Sequence, residues 1–489
     1  MDALVSFFPQ PPLLPNLSIY HTFHIDGPAL YRTLPVLFGP KLQIFYHCCV
    51  DVPSELDSEE TDYTRMLVKL REQSPSLLFL GISAEPCSPQ FARNAIRELY
   101  HYRELVSLLL DDIPVTAPDI LHFSTVLRRL QKFHATLSPD LTEDAFDHVV
   151  SPSPPFSILR SFHLEHECLA VCTAVVRFIR SKLLSSAEVS VKCDSSEPRT
   201  TVAHVRDYLA ALADAPFQPA LVRILLEVDA LADPPESAPL TNDTFAGLLR
   251  LTPKIAGVEI DIHHPFAIDD TLVTALAHAY PDLRYLALGI IRPWKGPPPA
   301  SDGATTMPTL RALVALADHC PMLHTLGLAF DPRTADLDTE TRPGDGAFQD
   351  VLRVLNVGRS PIAAPEAVAA FLSDIFLLRP VIISGWASAA DLAGPEAADM
   401  DEEERAKVER EVRCHEAWVK VEELQVVFME IRDREREWAE REREGESSGS
   451  DEEGNEEATG LSWWASESET SSEMSDLEYT ECLSECRVN

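Results

Sequence analysis

Positively charged residues are scarce in this sequence of 489 residues. Its 41 lysines and arginines are outnumbered by 78 aspartates and glutamates, which leaves a formal net charge of −37. Phosphate groups would repel such a chain, and no basic stripe with interleaved aromatic residues offsets that repulsion. The sequence therefore predicts no nucleic-acid partner and no membrane partner.

Features of secreted and membrane-embedded proteins are also missing. No uninterrupted apolar run approaches the roughly 20 residues of a membrane-spanning helix. The N-terminus has neither a basic segment nor a small-residue cleavage site, so no secretory signal is recognised. The ten cysteines are scattered along the chain, as is typical of reduced thiols. We therefore expect the protein in the cytoplasm or the nucleus.

Several motifs of enzymes are absent as well. The sequence contains no phosphate-binding loop, no dinucleotide-binding G-x-G-x-x-G and no H-E-x-x-H. Nothing in it assembles a nucleophile, a base and oxyanion donors. We therefore expect a protein that is not an enzyme and uses no cofactor.

What the sequence does contain is a repeated unit, clearest at Ile268–Leu288. Asp269 or Asp270 can cap a helix, because a short carboxylate accepts the free N–H groups of the first turn. Leucines then recur at helical spacing until Pro281 ends the helix. The L-x-x-L-x-L pattern that begins at Leu283 predicts a strand with one buried face.

The strand pattern recurs along most of the chain at intervals close to 28 residues. Its copies begin at Leu14 (with Leu17 and Ile19), Leu42, Leu77, Leu105, Leu130, Leu159, Leu221, Ile255, Leu283, Leu323 and Leu352, and a degraded copy lies near Val189 and Val191. Helical segments separate the strands, most clearly Ala203–Leu212, Asp243–Leu249 and Pro365–Leu372. Strand–helix–strand units of this length require parallel strands with right-handed crossovers, and stacking them gives an α/β solenoid.

The composition changes after Ser360, where the repeat fades. We assign residues 1–388 to the solenoid, 389–401 to an exposed linker, 402–446 to one long charged helix and 447–489 to a disordered, acidic, serine-rich tail. An apolar stripe runs along the helix through Val408, Val412, Val421, Leu424, Phe428 and Ile431, with Trp418 and Trp438 nearby. We expect the stripe to cover the open end of the solenoid, as a terminal cap must.

The repeat resembles the leucine-rich repeats of F-box proteins. Asp270, Leu276-Ala277 and Pro281-Asp282-Leu283 match the D-x-x-L-x-x-L-A-x-x-C-P helix and strand start of one subtype, and Leu316-Ala317 with Cys320-Pro321 match in the next copy. From roughly residue 14 to 440, the chain is similar to irregular leucine-rich-repeat, F-box-like proteins of mushroom-forming fungi. The resemblance implies a leucine-rich-repeat solenoid with a curved parallel sheet and helices on its convex side. It also implies substrate recognition in a ubiquitin ligase.

One feature of F-box proteins, the F-box itself, is not recognised in this sequence. Residues 1–60 contain no L-P-x-E-[IL] motif of an F-box, the helical module that docks onto a ligase adaptor. Leu14 already belongs to the first predicted strand. We therefore expect that an N-terminal segment is missing, and a ubiquitin-ligase adaptor is a predicted partner only if such a segment exists.

Outward-facing strand residues form the candidate partner-binding surface. Alternation places the residues between the core leucines on the concave sheet face. They are Lys132, His134, His163, Glu165, Arg223, Glu227, Glu259, Asp261, Tyr285 and Thr325. Their mixture of acids, histidines and tyrosine favours a protein partner that carries basic groups; the alternative is a face that is merely soluble.

The stretch His163-Leu-Glu-His-Glu-Cys168 gathers metal-ligand residue types, but we predict no metal site there. Alternation sends His163 and Glu165 to the exposed face, and a tetrahedral site needs further ligands that the sequence does not identify.

The tail carries candidate phosphorylation sites at Ser448, Ser450, Ser466 and Ser475, each followed three residues later by an acidic residue. Phosphates would extend the tail's negative charge. The alternative is a tail that only adds solubility.

Two functions remain. The first is a non-catalytic scaffold that binds a protein partner on the concave sheet, with ubiquitin-ligase substrate recognition as its specific form. The alternative is a chaperone-like or inhibitory binder of basic proteins that works through the acidic tail.

Overall fold

A computed structural model of the chain describes residues 12–22, 28–50, 57–85, 88–148, 154–193, 198–233, 238–290, 307–332, 346–387 and 401–447. The chain forms two compact units, Met1–Asp433 and Arg434–Asn489. Within the described ranges, no helix combines the length and the apolar character needed to cross a bilayer.

The first unit contains a 13-stranded, wholly parallel sheet whose strands follow one another in chain order. The strands are β1 (Ile19–Thr22), β2 (Ile44–Val50), β3 (Phe79–Glu85), β4 (Ser107–Val115), β5 (Lys132–Leu137), β6 (Ser161–His166), β7 (Ser186–Val191), β8 (Arg223–Val228), β9 (Gly257–Ile262), β10 (Tyr285–Leu288), β11 (Thr325–Leu328), β12 (Val354–Gly358) and β13 (Val381–Ser384). Each strand pairs only with its neighbours in sequence, which is the arrangement of a repeat solenoid. The predicted α/β leucine-rich-repeat solenoid is therefore confirmed.

The helices are α1 (Pro28–Thr33), α2 (Asp57–Gln73), α3 (Pro89–Leu99), α4 (Ala117–Val126), α5 (Leu169–Phe178), α6 (Val202–Asp214), α7 (Asp270–Ala279), α8 (Leu310–His319), α9 (Pro365–Ile375) and α10 (Glu402–Ser447). Helices α1 to α9 lie in the connections between strands, and α10 follows the last strand. The leucines of the strand pattern pack against these helices in one continuous core. Because side chains alternate along a strand, the other face of the sheet carries the remaining residues. We call that second face the open face.

Consecutive repeats are joined at their helix starts. The Asp269 side chain caps α7 by accepting from the backbone N–H groups of Thr271 and Leu272. The Asp270 carboxylate instead reaches the next repeat and accepts from the Thr309 backbone N–H at 2.6 Å and hydroxyl at 2.7 Å. Asp269 also accepts from the Asn242 side-chain amide at 2.7 Å, so the two adjacent aspartates link this repeat to the one before it and to the one after it.

The first strand lies three residues later than the pattern predicts. Tyr20 pairs with Phe45 of β2, so the core positions are Leu17, Tyr20 and Thr22. Leu14 and Ile19, which were predicted to be core residues, are 51% and 50% exposed. Tyr20 stacks on Phe45, its partner in register, with ring centroids 5.1 Å apart.

The degraded repeat is also displaced. Ala187 pairs with Phe162 of β6 and with Ile224 of β8, so its core positions are Leu184, Ala187 and Val189. This copy was hard to recognise in the sequence because Ala187 stands at the central position, where the pattern has a leucine.

One further expectation is wrong. Residues 243–249, predicted to be a helix, form turns that lead into a 3-10 helix at Leu248–Arg250. Gly247 packs so closely on the preceding helix that a Cβ there would lie 2.8 Å from the Leu209 carbonyl carbon. Beyond Ser360, where the sequence pattern fades, α9 and β13 continue the solenoid, within the bounds assigned to it.

The long helix α10 is present, and residues 402–433 belong to the first unit. Trp418 and Val421 are fully buried in the solenoid core, and Leu424 and Phe428 pack against it. Ile431, predicted to share this contact, is 45% exposed. In the second unit, Trp438 is 58% exposed. Most of the predicted linker and of the acidic tail, with all four candidate phosphoserines, lies outside the described residues.

Candidate functional site on the open face

The ten predicted site residues fall in three rows across the open face. The first row contains Lys132, Arg223, Tyr285 and Thr325, linked by register through Ser161, Ser186 and Gly257. The second row contains His134, His163 and Glu259, and the third contains Glu165, Glu227 and Asp261. Parallel strands lie roughly 4.8 Å apart, so only row members on adjacent strands, such as His134 and His163 or Glu227 and Asp261, are in side-chain contact range.

Two histidines on neighbouring strands form the centre of the best-ordered group. The imidazole rings of His134 and His163 stack with centroids 4.2 Å apart and planes inclined by 2°. Glu165 Oε1 lies 3.4 Å from His163 Nε2 and 3.9 Å from His134 Nε2. The other oxygen of Glu165 accepts a hydrogen bond from Lys192 Nζ at 2.9 Å.

Two more carboxylates border this group. Glu188 Oε2 lies 3.4 Å from His163 Nδ1, and the Ser186 hydroxyl donates to Glu188 Oε1 at 3.0 Å. Asp111 Oδ1 lies 4.0 Å from His134 Nε2. We call His134, His163 and Glu165, with their neighbours Asp111, Glu188 and Lys192, the histidine cluster.

Electrostatic coupling inside the histidine cluster outweighs burial. Burial alone would raise the pKa of Glu165, but His163 and Lys192 hold that pKa well below its usual range. Burial alone would lower the pKa of His163, but Glu165 and Glu188 raise it. The pKa of Glu188 is lowered against its burial, chiefly by His163. The cluster therefore carries opposite charges that stabilise one another.

A second group, which we call the carboxylate cluster, contains Arg223, Glu227, Glu259, Asp261 and Tyr285. Arg223 lies 3.9 Å from Glu259, and Glu227 accepts from the Ser190 hydroxyl at 3.2 Å. Burial raises the pKa of Glu259, and the neighbouring charges of Glu227 and Asp261 raise it further. Burial and the Glu259 charge also raise the pKa of Tyr285. Three carboxylates, those of Glu227, Glu259 and Asp261, thus lie on neighbouring strands in this part of the face, beside Arg223.

Glu165 was predicted to be exposed on the open face. Its side chain does point to that face, but it is buried. Glu165 and Asp261 point to the open face but are each only 2% exposed. The histidines and Lys192 cover Glu165, and only 12% of the His163 side chain is accessible. Alternation along one strand gives the direction of a side chain, whereas its burial depends on the neighbouring strands.

Sequence reasoning missed Glu188, Lys192 and Asp111. Glu188 belongs to the repeat that Ala187 concealed. A signal for that repeat existed, because Leu184 follows Leu159 by 25 residues, the interval that also separates Leu105 from Leu130. Asp111 was identifiable by continuing the alternation past Leu110.

The other metal-ligand residue types near β6 have structural roles. The ring nitrogens of His166 contact the backbone carbonyls of Cys168 and Ser138 at 3.2 and 3.1 Å. Cys172 is fully buried in α5, and burial raises the pKa of its thiol. Neither residue contributes to the open face.

The fold and the polar open face together define a leucine-rich-repeat type solenoid. No protein-family model matches the chain, and no curated protein matches it. Among solved structures, an internalin from Listeria monocytogenes is similar, with 14% sequence identity over 75% of this chain and 81% of that chain, at a TM-score of 0.31.

Proposed function

We propose that this protein is a non-catalytic scaffold that binds a protein partner on the open face. The partner would present lysine or arginine side chains to the carboxylate cluster. The single observation that carries the proposal is the convergence of Glu227, Glu259 and Asp261 from two neighbouring strands, beside Arg223.

Crowded carboxylates give a specific reason for a basic partner. The raised pKa of Glu259 means that its charged form is disfavoured by burial and by neighbouring negative charge. A cation from a partner would relieve that repulsion. Such complementary charges mainly increase the association rate and select the partner.

Charge reversal on the open face tests this proposal. In Glu227→Lys/Glu259→Lys, we expect at least about tenfold weaker partner binding, equivalent to roughly 1.4 kcal/mol. The partner is first identified by cross-linking and mass spectrometry in the native host, and its affinity is then measured by surface plasmon resonance.

The matched control is Asp207→Lys/Asp282→Lys, which makes the same charge change at exposed positions on α6 and at the corner after α7. We expect this control to bind like the wild type. Equal binding by the open-face variant and the wild type, with both folded by circular dichroism, would contradict the proposal.

The more specific form of the proposal is a substrate receptor of a ubiquitin ligase, in the cytoplasm or the nucleus. Its support is the resemblance of the repeat sequence to F-box proteins. It requires an adaptor-binding segment, so purification of the protein expressed from its native locus should recover a ligase adaptor. Recovery of the partner without an adaptor would leave only a free scaffold.

The acidic tail supports a second candidate function. Residues 447–489 contain twelve acidic residues and one basic residue, Arg487, which suits a binder of basic proteins. Deleting these residues separates the two candidates. Binding that survives the deletion is carried by the repeats, and binding that disappears is carried by the tail.

A further inference from the structure

Three ligand atoms converge in the histidine cluster. One ring nitrogen from each of His134 and His163 and a carboxylate oxygen of Glu165 all lie within 4.8 Å of one another. Within the described residues, this is the one group of three or more such side chains close enough to hold a metal ion. Two imidazoles and one carboxylate form a ligand set that Zn²⁺ uses when a fourth position is left for solvent.

We propose that His134, His163 and Glu165 bind a divalent transition-metal ion of the zinc class, with Asp111 or a water molecule as fourth ligand. The proposal revises the expectation of no metal site. It does not depend on the identity of the protein partner, because the ligands all belong to this chain.

The distances are close to those of a metal site. Ligand atoms about 2.0–2.1 Å from a tetrahedral zinc ion are roughly 3.3 Å apart. The distance from His163 Nε2 to Glu165 Oε1 is 3.4 Å, and that from His134 Nε2 to the same oxygen is 3.9 Å. Asp111 Oδ1 lies 4.0 Å from His134 Nε2. Side-chain rotations that turn the stacked His134 ring and shorten the two longer separations by about 0.6–0.7 Å would bring these atoms to coordination distance.

The surrounding contacts match those that support metal ligands. A metal-binding histidine usually donates its other ring N–H to a carboxylate, which fixes the tautomer. His163 Nδ1 faces Glu188 at 3.4 Å, and Ser186 holds Glu188 in place. Lys192 likewise holds the Glu165 oxygen that would not face the metal. The ligands therefore sit on adjacent strands with their orientation already supported.

A second histidine pair provides an internal comparison. His278 and His319 lie on α7 and α8 with ring centroids 3.9 Å apart, as close as the pair in the cluster. Asp318, the carboxylate beside them, is 60% exposed, and no group of three ligands forms there among the described residues. Both pairs therefore bring two imidazoles together, but only His134 and His163 have a buried carboxylate, Glu165, beside them.

Isothermal titration of the full chain with Zn²⁺ tests the proposal directly. We expect one equivalent to bind, with affinity at least 100-fold lower in Glu165→Gln and in His163→Asn. Glu188→Gln removes no ligand and is expected to lose 10–100-fold, the range for a group that orients a ligand. The control His278→Ala/His319→Ala should bind like the wild type.

Titration with Co²⁺ identifies the ligand type. Nitrogen and oxygen ligands give visible d–d bands without a thiolate-to-cobalt charge-transfer band, which distinguishes this site from the chain's cysteines. Circular dichroism of each apo variant verifies that it is folded, and Glu188→Gln tests the site if a ligand variant does not fold. The absence of stoichiometric binding, a thiolate spectrum, or unchanged affinity in Glu165→Gln or Glu188→Gln would overturn the proposal.

Discussion

Trp418→Ala is expected to lower the free energy of unfolding by about 4 kcal/mol, the typical cost of truncating a fully buried aromatic side chain. Trp418 is 1% exposed and packs edge-on against Phe330, with ring centroids 5.9 Å apart. Its indole N–H donates to the Ser360 carbonyl at 2.9 Å. This one side chain therefore connects α10 to two loops of the solenoid.

Packing contributes most of that energy. The Ser360 carbonyl also accepts from the Trp386 indole at 2.9 Å, so losing Trp418 does not leave this buried oxygen without a donor. A typical hydrogen bond contributes about 1 kcal/mol. The remainder comes from lost apolar burial and from the cavity.

Polar contacts supplement the apolar ones that α10 makes through Val421, Leu424 and Phe428. Arg359 pairs with Glu411 at 2.5 Å and lies over the Trp386 ring at 4.8 Å, and Arg432 lies 3.7 Å from Asp374. Such pairs orient the helix, but they do not replace the buried indole. We therefore expect faster hydrogen exchange in residues 402–433 of the Trp418→Ala protein.

Trp438→Ala is the matched control, because Trp438 lies on the same helix and is 58% exposed. Its truncation should change the free energy of unfolding by no more than about 0.5 kcal/mol. Urea unfolding followed by far-ultraviolet circular dichroism measures both variants. Similar losses in the two proteins would mean that Trp418 is not the main attachment of the helix.

Leu326→Ala is expected to lower the free energy of unfolding by about 3 kcal/mol. Leu326 is fully buried in β11 and is paired in register with Leu286 and Leu355 on the neighbouring strands. In a solenoid, each repeat is stabilised mainly by its two neighbours, so a cavity in one repeat weakens both interfaces. Amide exchange should accelerate in β10–β12 and remain unchanged in β5–β7.

Thr325→Ala, one residue earlier, is the control for the opposite face of the same strand. Thr325 is partly exposed on the open face, and its truncation should cost less than about 0.5 kcal/mol. Urea unfolding and hydrogen exchange with mass spectrometry compare the two. Uniformly faster exchange over all strands in Leu326→Ala would indicate that the repeats do not unfold locally.

The core positions could be predicted because they follow from the short sequence pattern within each repeat. Leu286, Leu326 and Leu355 occupy the central position of L-x-x-L-x-L, and all are buried as that pattern requires. The prediction was wrong where another residue type took a core position. Tyr20 and Ala187 occupy central positions without being leucines, so the first strand was placed three residues early and a repeat was nearly missed.

The site could be predicted only in part for the same reason. Alternation correctly directs His134, His163, Glu165 and Glu259 away from the leucine core. It says nothing about which of them meet, because that depends on register between strands separated by helices and loops of unequal length. Glu188 touches His163 only because Leu164 pairs with Val189, and β6 and β7 are joined by about 20 residues.

The sequence alone thus predicted the strand pattern, the direction of each strand side chain, helix caps such as Asp269 and the presence of the long helix α10. All of these follow from interactions between residues that are close in sequence, because helices and strands place side chains at fixed, repeating intervals. Tertiary structure decided the burial of Glu165, the stacking of His134 on His163 and the insertion of Trp418 beside Ser360. Those contacts join residues that are distant in sequence, and their energies exist only once the strands have stacked in register.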